Sequence, residues 1–326
     1  MHDEPIPSAS VVICCYSDGR FADVVAAVRS IQAQVPSAPE AVVVVDHNPA
    51  LRSRLEAVLP RTHLIENKGP RGLSGARNAG IAATRGEIVV FLDDDAVAAP
   101  EMVLRMAEAS CDPAVLGVAG RIVPRWDGGA PSWFPDEFLW VVGCTYAGHP
   151  SGTVRNPIGA AMAVRRSVFA TVGGFDTRMG RTHAALPLGC EETELAIRAG
   201  KAIPGGRFVH VPEASCLHRV PDGRGTWGYL ATRCWAEGTS KAVLSRVVGT
   251  GQALSSERAY VRSVLPAGIA SGLRRALRGD AAGIGRAAAI VVGFSFTAAA
   301  YAAGRAGQAL SRGPGSAAVP APERLS

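Results

Sequence analysis

Residues 87–95 read EIVVFLDDD, an apolar run that ends abruptly in three consecutive aspartates. A run of β-branched and aromatic residues without polar alternation predicts a strand that is buried on both faces. The aspartates at 93–95 then stand at the carboxyl end of that strand. Two similar apolar runs precede it, at residues 9–16 and 41–45, and Asp46 directly follows the second.

Helical spacing of apolar residues separates these strands. The predicted helices cover residues 21–34, 49–58, 74–85 and 100–109, with a short strand at 63–66. Strands and helices that alternate in this way predict an α/β fold, with a central, mostly parallel sheet flanked by helices. Such sheets bind their ligands at the carboxyl ends of the strands, where Asp46 and the three aspartates are expected.

Composition narrows the class of protein. The chain has 326 residues, 48% of them hydrophobic, which excludes a disordered chain and a disulfide-stapled miniprotein. Residues 1–241 hold 24 Lys+Arg and 25 Asp+Glu, so this part is not a nucleic-acid binder by charge. The seven cysteines form no CxxC pair, which argues against a zinc ribbon or a thioredoxin-like site.

The three aspartates suggest a cation site. Adjacent carboxylates repel one another, and a divalent cation with a preference for oxygen ligands, Mg or Mn, would neutralise them. A solvated acidic loop gives the same local pattern, as does a helix N-cap ahead of Pro100. Acidic residues at strand ends also occur as the phospho-acceptor cluster of receiver domains. This motif alone does not separate these readings.

A second acidic group begins a predicted helix at residues 191–199, EETELAIRA. Acidic side chains in a first helical turn are favoured by the helix dipole, which is the structural interpretation. A glutamate at a helix start that faces a cleft can instead act as a general base. Glu191 and Glu192 are therefore candidates for proton transfer.

A glycine-rich loop lies at residues 67–80, NKGPRGLSGARNAG. Its glycines would let the backbone approach a ligand, and Arg71 and Arg77 suit phosphate groups. The loop is neither GxGxxG nor a P-loop, and it lacks the second glycine of a lipase elbow. A loop-to-helix connection that binds nothing remains an alternative.

In combination these motifs resemble family 2 glycosyltransferases, which have the GT-A nucleotide-diphospho-sugar transferase fold. The matching elements, over about residues 9–220, are the strand ends at Tyr16 and Asp46, ARNAG at 76–80, FLDDD at 91–95, GGFD at 173–176 and the acidic group at 191–195. The chain is also similar to an actinobacterial group labelled as glucuronosyltransferases that act on glucosyl-dolichyl phosphate. The resemblance implies an enzyme with a nucleotide-diphosphate sugar as donor.

The resemblance also implies where the donor would bind. The backbone near Cys15 and Tyr16, together with Asp46, would hold the nucleotide base and ribose. Arg71 or Arg77 would lie near the base or the diphosphate.

The resemblance further implies a divalent Mg or Mn ion. Asp93 and Asp94 would line the donor site, and Asp93 would also reach the metal region. Asp95 would ligate the metal that bridges the diphosphate. A histidine follows the acidic pair in many relatives, which makes His218 a candidate metal ligand; a surface or core histidine is the alternative.

The mechanism implied is a single displacement with inversion at the anomeric carbon. The acidic pair usually reads Glu-Asp, with Asp as the base, whereas here it reads Glu191-Glu192. Glu192 is then the expected base and Glu191 its partner. The alternative assignment, shifted by one residue, makes Glu191 the base.

The basic excess of the chain lies in its C-terminal quarter, where residues 242–326 hold ten Arg and three acidic residues. A basic amphipathic helix is expected at 261–278, and residues 287–304 carry no charge. We therefore expect a catalytic domain at 1–241, a helical membrane-associated region at 242–305 and a disordered tail at 306–326. The N-terminus lacks a signal peptide, so attachment to the cytoplasmic face of the cell membrane is expected. The alternative is a helix that packs on the catalytic domain, or on a second subunit in a homodimer.

Aromatic residues cluster in the segment 125–140, which is expected to form a long irregular loop or a short-helix segment. Trp126, Trp133, Phe134, Phe138 and Trp140 would build the acceptor face by the family resemblance, or a small satellite core. With the C-terminal region, they favour a lipid-linked or glycan acceptor. The alternatives are a nucleotidylyltransferase, which should carry a glycine-rich basic signature after its first strand, and a non-catalytic membrane-bound nucleotide-sugar binder, which should have lost its acidic clusters.

Overall fold

The computed structural model describes residues 5–179 and 189–310 of the chain. Its first part alternates strands and helices as the sequence predicts. The elements are β1 (Ala9–Cys15), α1 (Phe21–Gln32), β2 (Glu40–Val45), α2 (Pro49–Val58), β3 (His63–Glu66), α3 (Leu73–Ala83) and β4 (Ile88–Asp93). Each of these elements begins and ends within two residues of its predicted limits, because buried valine runs and amphipathic helices give clear local patterns.

The second part contains more strands than the sequence suggested. It comprises β5 (Ala96–Ala98), α4 (Met102–Ala109), β6 (Val115–Trp126), β7 (Gly152–Val154), β8 (Ala161–Arg165), α5 (Arg166–Val172), α6 (Glu191–Ala202) and β9 (Arg207–Val220). Of these strands, β5, β6, β7 and β9 were not predicted. Both long strands, β6 and β9, contain proline and charged residues, which weaken the pattern of a buried strand.

All nine strands form one sheet in the order β3-β2-β1-β4-β8-β6-β9-β5, with β7 paired to β9. The half formed by β3, β2, β1 and β4 is parallel throughout. The other half is mixed, since β8 runs antiparallel to both β4 and β6, and β5 and β7 run antiparallel to β9. The α/β class is therefore confirmed, with a sheet that is parallel in one half only.

Side chains from the two faces of the sheet enter separate cores. Along β1, Val11 and Ile13 belong to one core and Val12 to the other, so both faces of the strand are buried. Helix α3 approaches β1 closely at Gly80, where a Cβ atom would lie 2.3 Å from a methyl group of Val12. A glycine is required there because any side chain would push the helix off the sheet.

The parallel half of the sheet aligns the ends of its central strands. Cys14 pairs with Asp93 across β1 and β4, and Cys15 pairs with Val45 across β1 and β2. Asp46 follows Val45 directly. The polar residues that the sequence places at strand ends therefore meet at one edge of the sheet, as expected for this fold.

The described chain after β9 is mainly helical. Its main elements are α7 (Trp227–Val248), α8 (Thr250–Ala253), α9 (Ser255–Ala259), a π-helical turn (Tyr260–Val264), α10 (Leu265–Leu277) and α11 (Ala282–Leu310). Residue 241, where we expected the catalytic domain to end, lies inside α7, and residues 306–310 of the expected tail belong to α11. Residues 311–326 of that tail lie outside the described residues. The three-part division of the chain stays a prediction.

Helix α11 packs on α7 through small residues. A Cβ atom at Gly238 of α7 would lie 2.2 Å from the Thr297 carbonyl oxygen of α11. One helix, Ala282–Gly307, is long and apolar enough to cross a membrane, and 28% of its most apolar window is buried in the protein. Leu277 of α10 and Ile284, Val291 and Phe294 of α11 are exposed.

Candidate active site

Asp93 and Asp95 form one cluster with His218, which is distant from them in the sequence. Strand β5 pairs with β9 so that Ala96 lies opposite His218, which brings this residue to the turn that follows β4. One potential ligand atom from each of Asp93, Asp95 and His218 lies within 4.8 Å of the other two. Two carboxylates and an imidazole are a ligand set that could hold a divalent cation. The structure thus brings together the three residues expected to be metal ligands.

The buried side chain of Asp95 has properties that suit a positively charged ligand. Its Oδ1 atom is buried and accepts no well-aligned hydrogen bond, although His218 Nε2 lies 3.0 Å away. Burial raises the pKa of Asp95, but contact with His218 and the positive charges of Arg20 and Arg224 outweigh burial and hold it below its ordinary value. The carboxylate is therefore ionised and has an oxygen available to a cation.

Two arginines that the sequence analysis did not select also reach the aspartates. Arg20 pairs with Asp94 and lies 3.2 Å from Asp95 Oδ2, and Arg224 lies 3.6 Å from the same oxygen. Burial, together with the charges of Asp93 and Asp95, nevertheless raises the pKa of Asp94 to about 7. The position of Arg20 in the turn after β1, at the carboxyl edge of the sheet, was a signal that could have identified it.

Asp46 lies at the edge of the sheet where the nucleotide is predicted to bind, and it contacts two residues of the neighbouring loop. Its Oδ1 accepts from the Asn67 side-chain amide at 2.7 Å, and its Oδ2 accepts from the Gly72 backbone amide at 2.9 Å. Asp46 thereby fixes Asn67 and Gly72, the two ends of the stretch that precedes α3. Its two oxygens are already used within the protein, so a structural role is the one that the contacts support directly.

The other residues expected near the nucleotide differ in exposure. Cys15 is buried at the end of β1, whereas Tyr16 and Arg71 are exposed. The Tyr16 carbonyl oxygen accepts from the Asn48 side chain at 3.0 Å. Of the two arginines selected from this loop, Arg77 is the one with recorded contacts to the acidic residues.

Arg77 connects the metal side of the site with the second acidic group. Its Nη1 donates to Glu191 Oε1 at 3.0 Å, and its Nη2 donates to the Gly159 carbonyl oxygen at 3.2 Å. The same Nη2 lies 3.7 Å from Asp93 Oδ1. The guanidinium also lies over the rings of Phe91 and Phe175. A buried arginine with these partners is fixed in position and spans the two acidic groups.

The two glutamates at the start of α6 have different surroundings. Cys190 before them has a φ of 74°, a left-handed conformation that turns the chain into the helix. Glu191 is paired with Arg77, and its other oxygen, Oε2, is buried without a hydrogen-bond partner in the described part of the chain. Burial, and next the negative charge of Glu191, raise the pKa of Glu192 to about 8. Glu192 therefore has the pKa of a group that exchanges protons near neutral pH.

A cavity of about 640 Å³ opens beside these glutamates. Residues from both parts of the chain line it. From the sheet side these include Arg77, Asp93, Arg155, Glu191 and Glu192, and from the C-terminal helices Lys241, Glu257, Tyr260, Leu265 and Phe294. The C-terminal helices therefore form one wall of the cavity next to the acidic groups. Packing on the catalytic domain was one of the alternatives stated for the apolar helix, whereas a contribution to the site was not predicted.

The aromatic segment packs mainly into one of the two cores of the sheet: Phe134 and Phe138 are buried in it, and Trp126, Trp133 and Trp140 pack against it. Trp133 stacks on Trp227 of α7 with ring centroids 4.3 Å apart, and Phe134 is buried between Trp126 and Trp133. Of the five aromatic residues singled out from the sequence, only Phe138 and Trp140 line the cavity. The Trp140 indole donates to the Tyr260 hydroxyl at 3.0 Å, which ties this segment to the C-terminal helices.

Comparisons with known proteins agree with this geometry. Residues 10–173 match the family described as glycosyl transferase family 2. A glucosyl-dolichyl phosphate glucuronosyltransferase of Haloferax volcanii is 31% identical over 262 residues, which cover 78% of this chain and 82% of that protein. The succinoglycan biosynthesis protein ExoO of Rhizobium meliloti is 34% identical over 42% of this chain and 39% of its own length.

A solved structure shares the fold. The mannosyltransferase PcManGT from Pyrobaculum calidifontis, in complex with GDP-Man and Mn²⁺, has a TM-score of 0.58 at 21% identity. The similarity covers 90% of this chain and 87% of that chain.

Proposed function

The chain belongs to glycosyltransferase family 2, and from that premise we propose that it moves a sugar, with inversion, onto a hydroxyl of a lipid-linked acceptor. Enzymes of this family use nucleotide sugars as donors and lipid-linked or glycan molecules as acceptors. The proposal rests mainly on the contacts of Arg77. This residue joins Asp93 of the aspartate cluster to Glu191, the neighbour of Glu192. Neither the nucleotidylyltransferase nor the non-catalytic binder finds support in the comparisons.

For the donor, we infer a nucleoside diphosphate bound at the aspartate cluster with Mg or Mn. Asp93, Asp95 and His218 fit such an ion, because Asp95 has a buried oxygen without a well-aligned hydrogen bond. The ion would neutralise the diphosphate when bound. Arg20 and Arg224, which now face Asp95, can add hydrogen bonds to the same phosphate oxygens.

For the base, the surroundings favour Glu192. Glu191 is committed to Arg77 in a buried ion pair, whereas Glu192 faces the cavity with a raised pKa. Glu192 would remove the proton from the acceptor hydroxyl as the oxygen attacks the anomeric carbon. Arg77 and Glu191 would hold α6 against the sheet so that this carboxylate faces the donor. Positioning and charge stabilisation of this kind typically contribute about a hundredfold to a thousandfold each.

For the acceptor, the cavity and its neighbours favour a lipid. Its C-terminal wall is rich in apolar residues, and exposed apolar side chains on α10 and α11 lie on the same group of helices. The name of the Haloferax relative also refers to a lipid phosphate carrying a sugar. We propose that these helices lie on the cytoplasmic face of the membrane. Because α11 packs along α7, the helix is expected to rest in the interface rather than to cross the bilayer.

The proposal is tested with the full-length protein in detergent micelles. Nucleoside diphosphate release from each of several nucleotide sugars would be measured with Mn, with and without a lipid extract. We expect release with one donor that increases with lipid, and loss of release when EDTA is added. Release that is indifferent to EDTA, or absent with every nucleotide sugar, would contradict the proposal.

A further inference from the structure

The cavity beside the glutamates is lined on one side by a single face of α11. The lining residues from this helix are Phe294, Thr297, Ala298 and Tyr301. Positions spaced by three, four and seven residues lie on the same side of an α-helix. The cavity therefore extends along about two turns of α11. Among the described residues, the charged side chains that line the cavity all belong to other elements.

The hydroxyl groups on this face of α11 are bonded within the protein. Thr297 Oγ1 donates to the Gly293 carbonyl oxygen at 2.9 Å, and the hydroxyl oxygens of Tyr301 and Ser245 lie 3.3 Å apart. A water molecule in a cavity needs two to four polar partners to be held there. This face therefore suits an apolar group better than it suits water.

A second apolar part of the lining comes from the π-helical turn and the first residue of α10. Val261, Val264 and Leu265 line the cavity here, together with Tyr260. The Tyr260 hydroxyl donates to the Glu137 carbonyl oxygen at 2.7 Å, so its polar atom is also bonded within the protein. Two separate elements thus present apolar surface to the cavity that contains Glu192.

The exposed apolar face of α11 continues into the cavity. Ile284, Val291 and Ala298 are spaced by seven residues, so they lie on one side of the helix. Ile284 and Val291 are 61% and 51% exposed and are not part of the cavity lining. Phe294 and Ala298 are also exposed, and both line the cavity. The same side of α11 therefore changes from outer surface to cavity lining between Val291 and Phe294.

Several charged side chains that line the cavity are paired with one another. Arg155 contacts Glu257 through two nitrogens, at 2.7 Å and 3.0 Å, and Lys241 Nζ lies 2.6 Å from Glu257 Oε1. Arg77 and Glu191 form a further pair. The cavity of about 640 Å³ is present with all these pairs formed. A ligand can therefore lie along α11 without breaking any of them.

We propose that the apolar chain of the acceptor enters the cavity directly from the membrane, along the exposed face of α11, and lies against Phe294, Thr297, Ala298 and Tyr301. The inference rests on the proposed function and specifies how its acceptor reaches the site. On this path the chain passes from one apolar surrounding to another, whereas a path through water would expose it. The hydroxyl that receives the sugar then lies at the Glu192 end of the cavity.

The first test identifies the residues that the chain touches. Full-length protein is bound to vesicles of phosphatidylcholine and phosphatidylglycerol that contain an alkyl glucoside with a diazirine in its chain. After irradiation, mass spectrometry locates the labelled residues. We expect labels on Leu265 and Tyr301, which line the cavity, and a decrease of these labels when unmodified octyl glucoside is added.

Two outcomes of this experiment would overturn the proposal. Labels confined to surface residues such as Ile284 and Val291 would show contact with the membrane but no entry of the chain. A face of α11 that is covered by a second copy of the chain would carry no label at any of these positions.

The second test blocks the cavity. Ala298→Trp places an indole in it, and Ala299→Trp, at an exposed position outside the lining, is the matched control. The indole and the chain would compete for one space, and overpacking of this kind typically costs about tenfold or more in affinity. Labels on Leu265 and Tyr301 should therefore fall at least about tenfold in Ala298→Trp and stay at the wild-type level in Ala299→Trp. Equal labelling of the two variants would contradict the path along α11.

A smaller substitution and nucleotide binding complete the test. Ala298→Leu should reduce the labels less than Ala298→Trp, and thermal unfolding checks that each variant is folded. Mn-dependent binding of GDP and UDP is measured in parallel. Intact nucleotide binding without labels in the cavity would overturn only the path of the acceptor. A wild-type protein that binds no nucleotide in the presence of Mn would instead overturn the proposed function.

Discussion

Arg77 and Glu191 form an almost fully buried ion pair, with Nη1 of the arginine 3.0 Å from Oε1 of the glutamate. The pair joins α3 to α6, two helices that are far apart in the sequence. The same guanidinium lies 3.7 Å from Asp93, so it also fixes the distance between the aspartate cluster and the glutamates. Because one carboxylate is used in this way, we propose that Glu192 carries out the proton transfer.

Glu192→Gln should abolish turnover while the affinity for donor nucleotide stays near that of the wild type. A general base acts only in the transition state, and its loss typically costs about a hundredfold to ten-thousandfold in rate. Steady-state kinetics and nucleotide titration check the two quantities. Glu191→Gln is the matched control: it should lower thermal stability, since it leaves Arg77 buried without its carboxylate. Full activity of Glu192→Gln would place the base elsewhere.

The pH dependence of kcat/KM should show the ionisation of Glu192. Burial and the charge of Glu191 raise the pKa of this carboxyl to about 8. Only the ionised carboxylate accepts a proton, so activity should rise as the pH increases towards 8 and then level off. Glu191→Gln removes the neighbouring negative charge and should move this rise to lower pH. A rise at the same pH in both proteins would assign it to another group.

Asp95→Asn should remove the effect of Mn on nucleotide binding and reduce turnover by at least about a hundredfold. The amide keeps the shape of the side chain but supplies a weaker metal ligand. Calorimetric titration of GDP and UDP, with Mn and with EDTA, measures the change. Asp112→Asn, at an exposed site paired with Arg207, is the control and should behave like the wild type. Unchanged Mn dependence in Asp95→Asn would refute the assigned ligand.

Gly238→Ala should lower the free energy of unfolding by about 1–3 kcal/mol, the usual cost of overpacking. Its new methyl group would meet the Thr297 carbonyl oxygen of α11 at 2.2 Å. Gly228→Ala lies in the same helix but has nothing within 4 Å, so it should be neutral or stabilising by up to about 1 kcal/mol. Denaturant titration compares the two variants. Equal stabilities would mean that α11 is not packed on α7.

The double variant Leu277→Glu and Ile284→Glu should release the protein from anionic vesicles. Both side chains are exposed, at 88% and 61%, and flanking arginines each contribute about 1 kcal/mol at such a surface. Co-sedimentation with vesicles at low and high salt measures the partition. Val58→Glu, at an exposed apolar position in α2, is the control and should not change it. Wild-type protein that stays in the supernatant would contradict membrane attachment.

The parallel half of the fold was predictable because each of its elements has a single dominant pattern. Residues 41–45 have the pattern of a buried strand. Residues 49–58 begin with the helix-starting Pro49 and are preceded by Asn48, a capping residue. The second half was harder. Strand β9 contains Pro212 and Glu213 where it shifts register against β6, and such irregularities have no local sequence signature.

For the candidate site, the sequence identified the residues that sit at strand and helix ends. Asp93, Asp95, Glu191 and Glu192 all follow from that rule, and His218 followed from the family resemblance. Contacts made across long stretches of chain had no such signal. Arg155 meets Glu257 about 100 positions away, a relation that only the folded arrangement of the loop and α9 creates.

The cavity has walls from two parts of the chain, for which we propose separate tasks. The family match ends at residue 173, and the aspartates and Arg77 lie within it, whereas Lys241, Glu257 and Phe294 lie beyond it. Substitutions in the helical wall can therefore alter which molecule enters without disturbing the groups at the sheet edge. In evolutionary terms, this separation lets the choice of acceptor diverge while the donor chemistry is inherited unchanged. For protein engineering, it makes the segment from α7 to α11 the natural part to exchange between relatives.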